Sequence, residues 1–136
     1  MKSKTLFFLL FTLVFASAFA QKKNSKVPAS KKGMICVTIF YANGEGKTFD
    51  MDYYSKTHMP LVKESCGDAL KMIEIDKGIA GGAPDAPATY AAIGYLYFDS
   101  VESYRTSISP HIDKIRADIP KFTNITPVIQ ISEVVQ

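Results

Sequence analysis

Apolar and β-branched residues run unbroken through residues 34–41, Met-Ile-Cys-Val-Thr-Ile-Phe-Tyr, and the glycine-rich stretch Asn43-Gly44-Glu45-Gly46 ends the run. That pattern predicts a first strand, apolar on both faces and closed by a turn. Asp50 can cap free backbone N–H groups, and Tyr54, His58 and Leu61 follow at spacings of four and three, which predicts one helical stripe. Pro60 lacks the N–H that would bond back to Lys56, so the helix is expected to bend or restart just after His58 and to stop at Gly67. Residues 70–79 mix Lys71, Glu74, Asp76 and Lys77 with Leu70, Met72, Ile73 and Ile75, as an edge strand would. The glycines and prolines of residues 80–87 predict a loop, and their spacing matches neither phosphate-cradling pattern. Residues 90–98 form a third strand, again apolar on both faces. Asp99-Ser100 opens a second helix, Ser109-Pro110 signals a fresh start within it, and Ile112, Ile115 and Ile119 give its apolar stripe before Pro120. Residues 127–135 read as a fourth strand.

The resulting order is βαββαβ, an α+β ferredoxin-like sandwich with the first and third strands in the middle of the sheet. Two helices cover one face of such a sheet, yet the middle strands are apolar on both. The economical cover for the second face is the sheet of an identical subunit. A homodimer through the sheet face, a dimeric α+β barrel with a partly apolar interior, is therefore expected.

The N-terminus lies outside this pattern. Lys2 and Lys4, the apolar run of residues 6–16 and the Ala18-Phe19-Ala20 site predict a signal peptide at 1–20. A retained anchor is the competing reading, although the run is short for a span of about 20 apolar residues. Residues 21–33 read as a disordered basic tether and 34–136 as one small domain. The chain is expected to be exported, periplasmic or secreted, without stable membrane insertion after cleavage.

The tether changes the meaning of the charge. The formal net charge is +3, but seven of the 16 basic residues precede residue 34, leaving nine against 13 acidic ones, so the folded part carries about −4. A nucleic-acid partner is not expected, because the basic charge sits on a tail and not in a stripe on the domain. Cys36 falls in an apolar strand and Cys66 at a helix end. Free, buried thiols are expected, with a disulfide as the alternative in an oxidising compartment.

Several segments together resemble the EthD domain family, of the dimeric α+β barrel superfamily. They are Tyr53-Tyr54 through His58-Met59-Pro60-Leu61, then Lys77-Gly78 through Ala83-Pro84, Tyr97-Phe98-Asp99-Ser100-Val101-Glu102, and Asp118-Ile119-Pro120 through Val134. The resemblance covers the whole expected domain and implies a ferredoxin-like subunit that dimerises through its sheet. It also implies an auxiliary or oxidoreductase role, since members are often labelled EthD family reductases. The family takes its name from a protein needed to degrade an alkyl ether. An export signal and a lysine-rich tether are departures from the family pattern.

His58 is the leading candidate for chemistry, because an imidazole exchanges protons near neutral pH and the Pro60 break can turn it toward a pocket. The competing reading is a helix-end histidine that organises the turn. Tyr54, one turn earlier, is the candidate to orient a ligand oxygen. Tyr53, Leu61 and His111 are weaker pocket candidates, His111 being at a helix start where the dipole disfavours its charged form. The two histidines lack metal-site spacing and the cysteines are unpaired in sequence, so no metal is expected. No cofactor is expected either, since neither a nucleotide fingerprint nor a nucleophile elbow occurs. The functional expectation is an exported EthD-like protein acting on a small oxygenated organic compound in an apolar pocket. A non-catalytic module that binds or sequesters such a molecule is the alternative.

Overall fold

The computed structural model describes residues 30–136. The expected signal peptide and most of the expected tether lie outside these residues. Four strands, β1 (Ile35–Ala42), β2 (Met72–Lys77), β3 (Tyr90–Phe98) and β4 (Val128–Glu133), form one antiparallel sheet in the order β2-β3-β1-β4. The doubly apolar strands are thus the central pair. Among the described residues no helix is long and apolar enough to cross a membrane.

Two helical stretches cover one face of the sheet. The first begins with α1 (Met51–Tyr53), passes through a π-helical turn at Tyr54–His58 and continues as α2 (Met59–Cys66). Asp50 caps its start, accepting from the Tyr53 N–H at 3.0 Å. In the π turn the Met59 N–H bonds to the Tyr54 carbonyl, five residues back. A regular α-helix would press the Pro60 ring on the Lys56 carbonyl, and the wider turn relieves that clash, so the expected restart falls just after His58. Gly67, at φ +56, ends α2. The second stretch is α3 (Val101–Ile108), capped by Ser100, and then α4 (Ile112–Asp118), with 3-10 turns at Ser109–His111 and Ile119–Lys121.

Pairing of β1 with β3 puts Val37 opposite Leu96, Ile39 opposite Gly94 and Tyr41 opposite Ala92 on the helix-facing side. Together with Tyr54, Met59, Val62, Phe98, Ile115 and Phe122 these build the core. The stripe expected through Leu61 runs elsewhere. The buried residues of the first stretch are Tyr54, His58, Met59, Val62 and Cys66, while Leu61 is half-buried and outside the core cluster, because the extra residue of the π turn shifts the inward phase by one position.

The other sheet face is more polar than expected. Tyr97 donates to Glu74 at 2.7 Å and Tyr95 to Asp76 at 2.9 Å, so phenols counted as apolar in the strand pattern spend their tips on edge-strand carboxylates. Lys31 bonds to Glu74 and lies 4.7 Å from the centre of the Tyr97 ring, and the Gly33 N–H bonds to the Val134 carbonyl at 2.7 Å. The last residues of the expected tether are therefore held against the domain. At the sheet's end Val128 and Ile129 stay 63% and 53% exposed, Ile129 on the helix-facing side and Val128 on the other face. Cys36 and Cys66 are free and buried.

Candidate functional site

The π turn and the end of α4 bring together the residues on which chemistry can be built. His58 Nδ1 lies 2.9 Å from Asp118 Oδ2, and both side chains are buried, the histidine being 4% exposed. The other carboxylate oxygen, Oδ1, accepts from the Tyr53 hydroxyl at 3.1 Å and from Lys121 Nζ at 2.9 Å. Burial works against the charge on Asp118, but the donors His58, Lys121 and Tyr53 together hold its carboxyl below the usual range. Asp118 is therefore an acceptor, and His58 Nδ1 carries the proton that it accepts.

Burial pushes the His58 pKa down, and Asp118 offsets part of that effect. The imidazole is thus neutral at neutral pH, with Nε2 as its lone-pair nitrogen. Nε2 makes no hydrogen bond to any described residue. The one fully buried side-chain polar atom without a partner among the described residues is Tyr54 Oη. The ring is clamped between Tyr54, stacked at 5.7 Å with an interplanar angle of 18°, and Phe122, tilted at 4.6 Å. Such clamping fixes the ring orientation that the Asp118 bond selects.

Tyr54 is fully enclosed and points its hydroxyl at the sheet where Gly94 leaves a gap. A Cβ at Gly94 would lie 2.3 Å from Tyr54 Oη and 2.7 Å from Met59 Cε, so only a residue without a side chain fits there. Burial raises the Tyr54 phenol well above the ordinary tyrosine range, and so keeps it protonated. Tyr41, edge-on at 5.4 Å, raises it further through its neighbouring hydroxyl, although no group meets hydrogen-bond distance and angle at Tyr54 Oη.

Of the residues singled out from the sequence, the structure gathers His58, Tyr54 and Tyr53. Tyr53 stacks on Phe122 at 6.2 Å besides bonding Asp118. Leu61 takes no part, and His111 is exposed in the 3-10 turn ahead of α4, away from the His58 cluster. Sequence reasoning missed Asp118, Lys121 and Phe122 as members. One signal was available: an aspartate in the last turn of a helix opposes the helix dipole and needs donors to hold it. Among the described residues no group of three or more His, Cys, Asp or Glu side chains is placed to hold a metal ion.

Two surface clefts lie beside this cluster. One of about 380 Å³, lined by Asp50, Pro120, Lys121 and Phe122, reaches the outer side of the Phe122–Lys121 wall. An apolar groove of about 430 Å³ runs between α2 and β2, past Met59, Pro60, Ile73 and Ile75.

A four-stranded antiparallel sheet in this order, covered on one face by helices that bury a histidine–carboxylate pair, defines a ferredoxin-like α+β domain. The model of the EthD domain matches residues 43–126, and the chain belongs to that family. It is similar over 77% of its length to an EthD-like protein from Ralstonia eutropha, with 41% identity, 95% of that chain covered and a TM-score of 0.74. An ethyl tert-butyl ether D (EthD) family protein from Bacillus halodurans shares the fold at 18% identity, with 74% of this chain and 97% of that chain covered and a TM-score of 0.52. No curated protein matches.

Proposed function

We propose that this EthD-family chain is exported, pairs with a second copy through the open sheet face, and uses His58 as a proton shuttle on a small oxygenated organic compound. The observation that carries the reading is the 2.9 Å bond from His58 Nδ1 to a buried, ionised Asp118, with Nε2 left unengaged. In that arrangement Nε2 takes a proton from the ligand, and Asp118 stabilises the imidazolium that results. Tyr53 and Lys121 hold Asp118 in place. Proton transfer is the part of the family's assigned oxidoreductase chemistry that these side chains themselves supply.

The test is proton exchange. Small ketones and aldehydes are incubated with the exported protein in deuterated water, and deuteration at the carbon beside the carbonyl is followed by NMR. The wild type accelerates exchange of its ligand, and His58→Gln loses about 10²-fold or more of that acceleration, the usual contribution of a positioned base. Equal rates in the two proteins sink the proposal. Light scattering that finds monomers at micromolar concentration removes the paired state, and N-terminal sequencing that finds Met1 retained removes export by cleavage.

The enclosure of His58 favours a second reading. With 4% exposure, the imidazole can serve as a lock between the two helical stretches of a binding module. Saturable ligand binding without any exchange in the same assay selects this reading.

A further inference from the structure

The apolar groove between α2 and β2 has a feature that its surface hides. Ile73 and Ile75 form one wall, on the helix-facing side of the edge strand, and Met59 and Pro60 form the other. Ile75 pairs directly with Gly94 of β3. Gly94 is the dent in the sheet into which both Tyr54 Oη and Met59 Cε project. The enclosed tyrosine hydroxyl with no partner therefore sits immediately behind the methionine side chain that lines the groove. Ser55 stands at one end, and Lys63 and Glu64 form an oppositely charged rim that offers no net charge to a ligand.

The geometry points to a binding site, in this groove, for an uncharged and mostly hydrocarbon small molecule that carries one hydrogen-bond-accepting oxygen. Met59 swings aside and the Tyr54 hydroxyl donates to that oxygen. The walls supply apolar contact, about 430 Å³ suits a compound of roughly ten heavy atoms or fewer, and the unbranched thioether is the most adaptable side chain available for a movable wall. A charged ligand is disfavoured by walls that hold almost no polar surface. Burial keeps the Tyr54 phenol protonated, so it acts as a donor. The inference rests on the functional reading for the ligand's general class alone and does not need His58 to move a proton.

Cyclohexanone and methylenecyclohexane, alike in shape but with and without the oxygen, are titrated into isotope-labelled mature protein and followed by NMR. Cyclohexanone should shift the Met59, Ile73 and Ile75 signals saturably, and Tyr54→Phe should weaken it roughly three- to tenfold while leaving methylenecyclohexane unchanged, the loss of one neutral hydrogen bond. Ser55→Phe, which fills the groove from its end, should abolish both. Met59→Ala should tighten the ketone, and if that variant does not fold the other two still decide. Equal ketone affinity in wild type and Tyr54→Phe, or shifts confined to other clefts, overturns the site. Contacts from the Ile73 and Ile75 methyl groups to a second copy, or to residues 21–29, assign the groove to protein and overturn it as well. Binding without proton exchange leaves the groove standing and removes the shuttle; exchange of a compound that never touches the groove does the reverse.

Discussion

Asp118 closes on His58 across 60 residues of chain, joining the end of α4 to the π turn that precedes α2 with a bond of 2.9 Å. The contact fastens the two helical stretches to each other above the sheet. It also sets which imidazole nitrogen carries the proton. A structural fastening and a chemical orientation therefore share one carboxylate, and substitutions can separate them.

Asp118→Asn keeps the shape but removes the charge. It should cost about 1.5–3 kcal/mol, the range for a hydrogen bond to a charged group, read as a lower urea midpoint with an unchanged slope. The His58 pKa, followed by NMR, should fall further, because its one counter-charge is gone. Lys121→Ala, by contrast, should leave the midpoint nearly unchanged, since that ammonium is exposed. A His58 pKa that rises in Asp118→Asn contradicts the assigned proton arrangement.

Acid should weaken the fold in two stages. The folded His58 pKa lies below its ordinary 6.5, so the unfolded chain binds the proton first and stability falls as pH drops from about 6.5 toward the folded value. Asp118 is likewise depressed below 3.8, and its contribution, present above that pH, is lost as pH falls through its folded pKa. Thermal melts in steps from pH 7.5 to 3 should show both slopes. His58→Gln should flatten the upper one and keep the lower.

Gly94→Ala should destabilise by about 1–3 kcal/mol through overpacking against Tyr54 Oη, 2.3 Å from the added carbon. Tyr54→Phe alone should stabilise by about 1 kcal/mol, because it deletes a buried hydroxyl that has no partner. Combined, the two should cost less than their separate effects sum to, by at least about 0.5 kcal/mol, as for side chains in contact. Simple additivity in denaturation curves would show that the hydroxyl does not occupy the Gly94 gap.

Element order and the central strands were legible because uninterrupted apolar runs and turn residues carry local information. Pro60 and Ser109-Pro110 marked the helix restarts for the same reason. The Leu61 stripe was not legible, since a period of 3.6 cannot register a turn with one extra residue. Tyr95 and Tyr97 looked apolar because their partners, Asp76 and Glu74, lie on a different strand. Asp118 was hidden by its distance in sequence from His58. Pair chemistry between remote elements depends on topology and leaves little trace in local spacing.

Gly78→Ala should be among the most damaging single changes in the described domain. The added carbon would lie 1.9 Å from the Tyr90 carbonyl oxygen and 2.9 Å from the Ala88 Cβ, and neither belongs to a flexible side chain that could yield. A loss at or above the upper end of about 1–3 kcal/mol is expected, with the damage confined by hydrogen exchange to the β2–β3 connection. A variant as stable as wild type would mean that the two backbones stand further apart.

The widened coil at Tyr54–His58 makes this segment intolerant of length drift. Removing a single residue there would restore ordinary winding and turn everything downstream by about 100° around the axis. The imidazole would leave its carboxylate, the thioether would leave the groove wall, and Val62 would rotate off the sheet. Descendants of this chain can exchange side chains in the segment one at a time, but they can shorten it only by giving up both places where a ligand could be held.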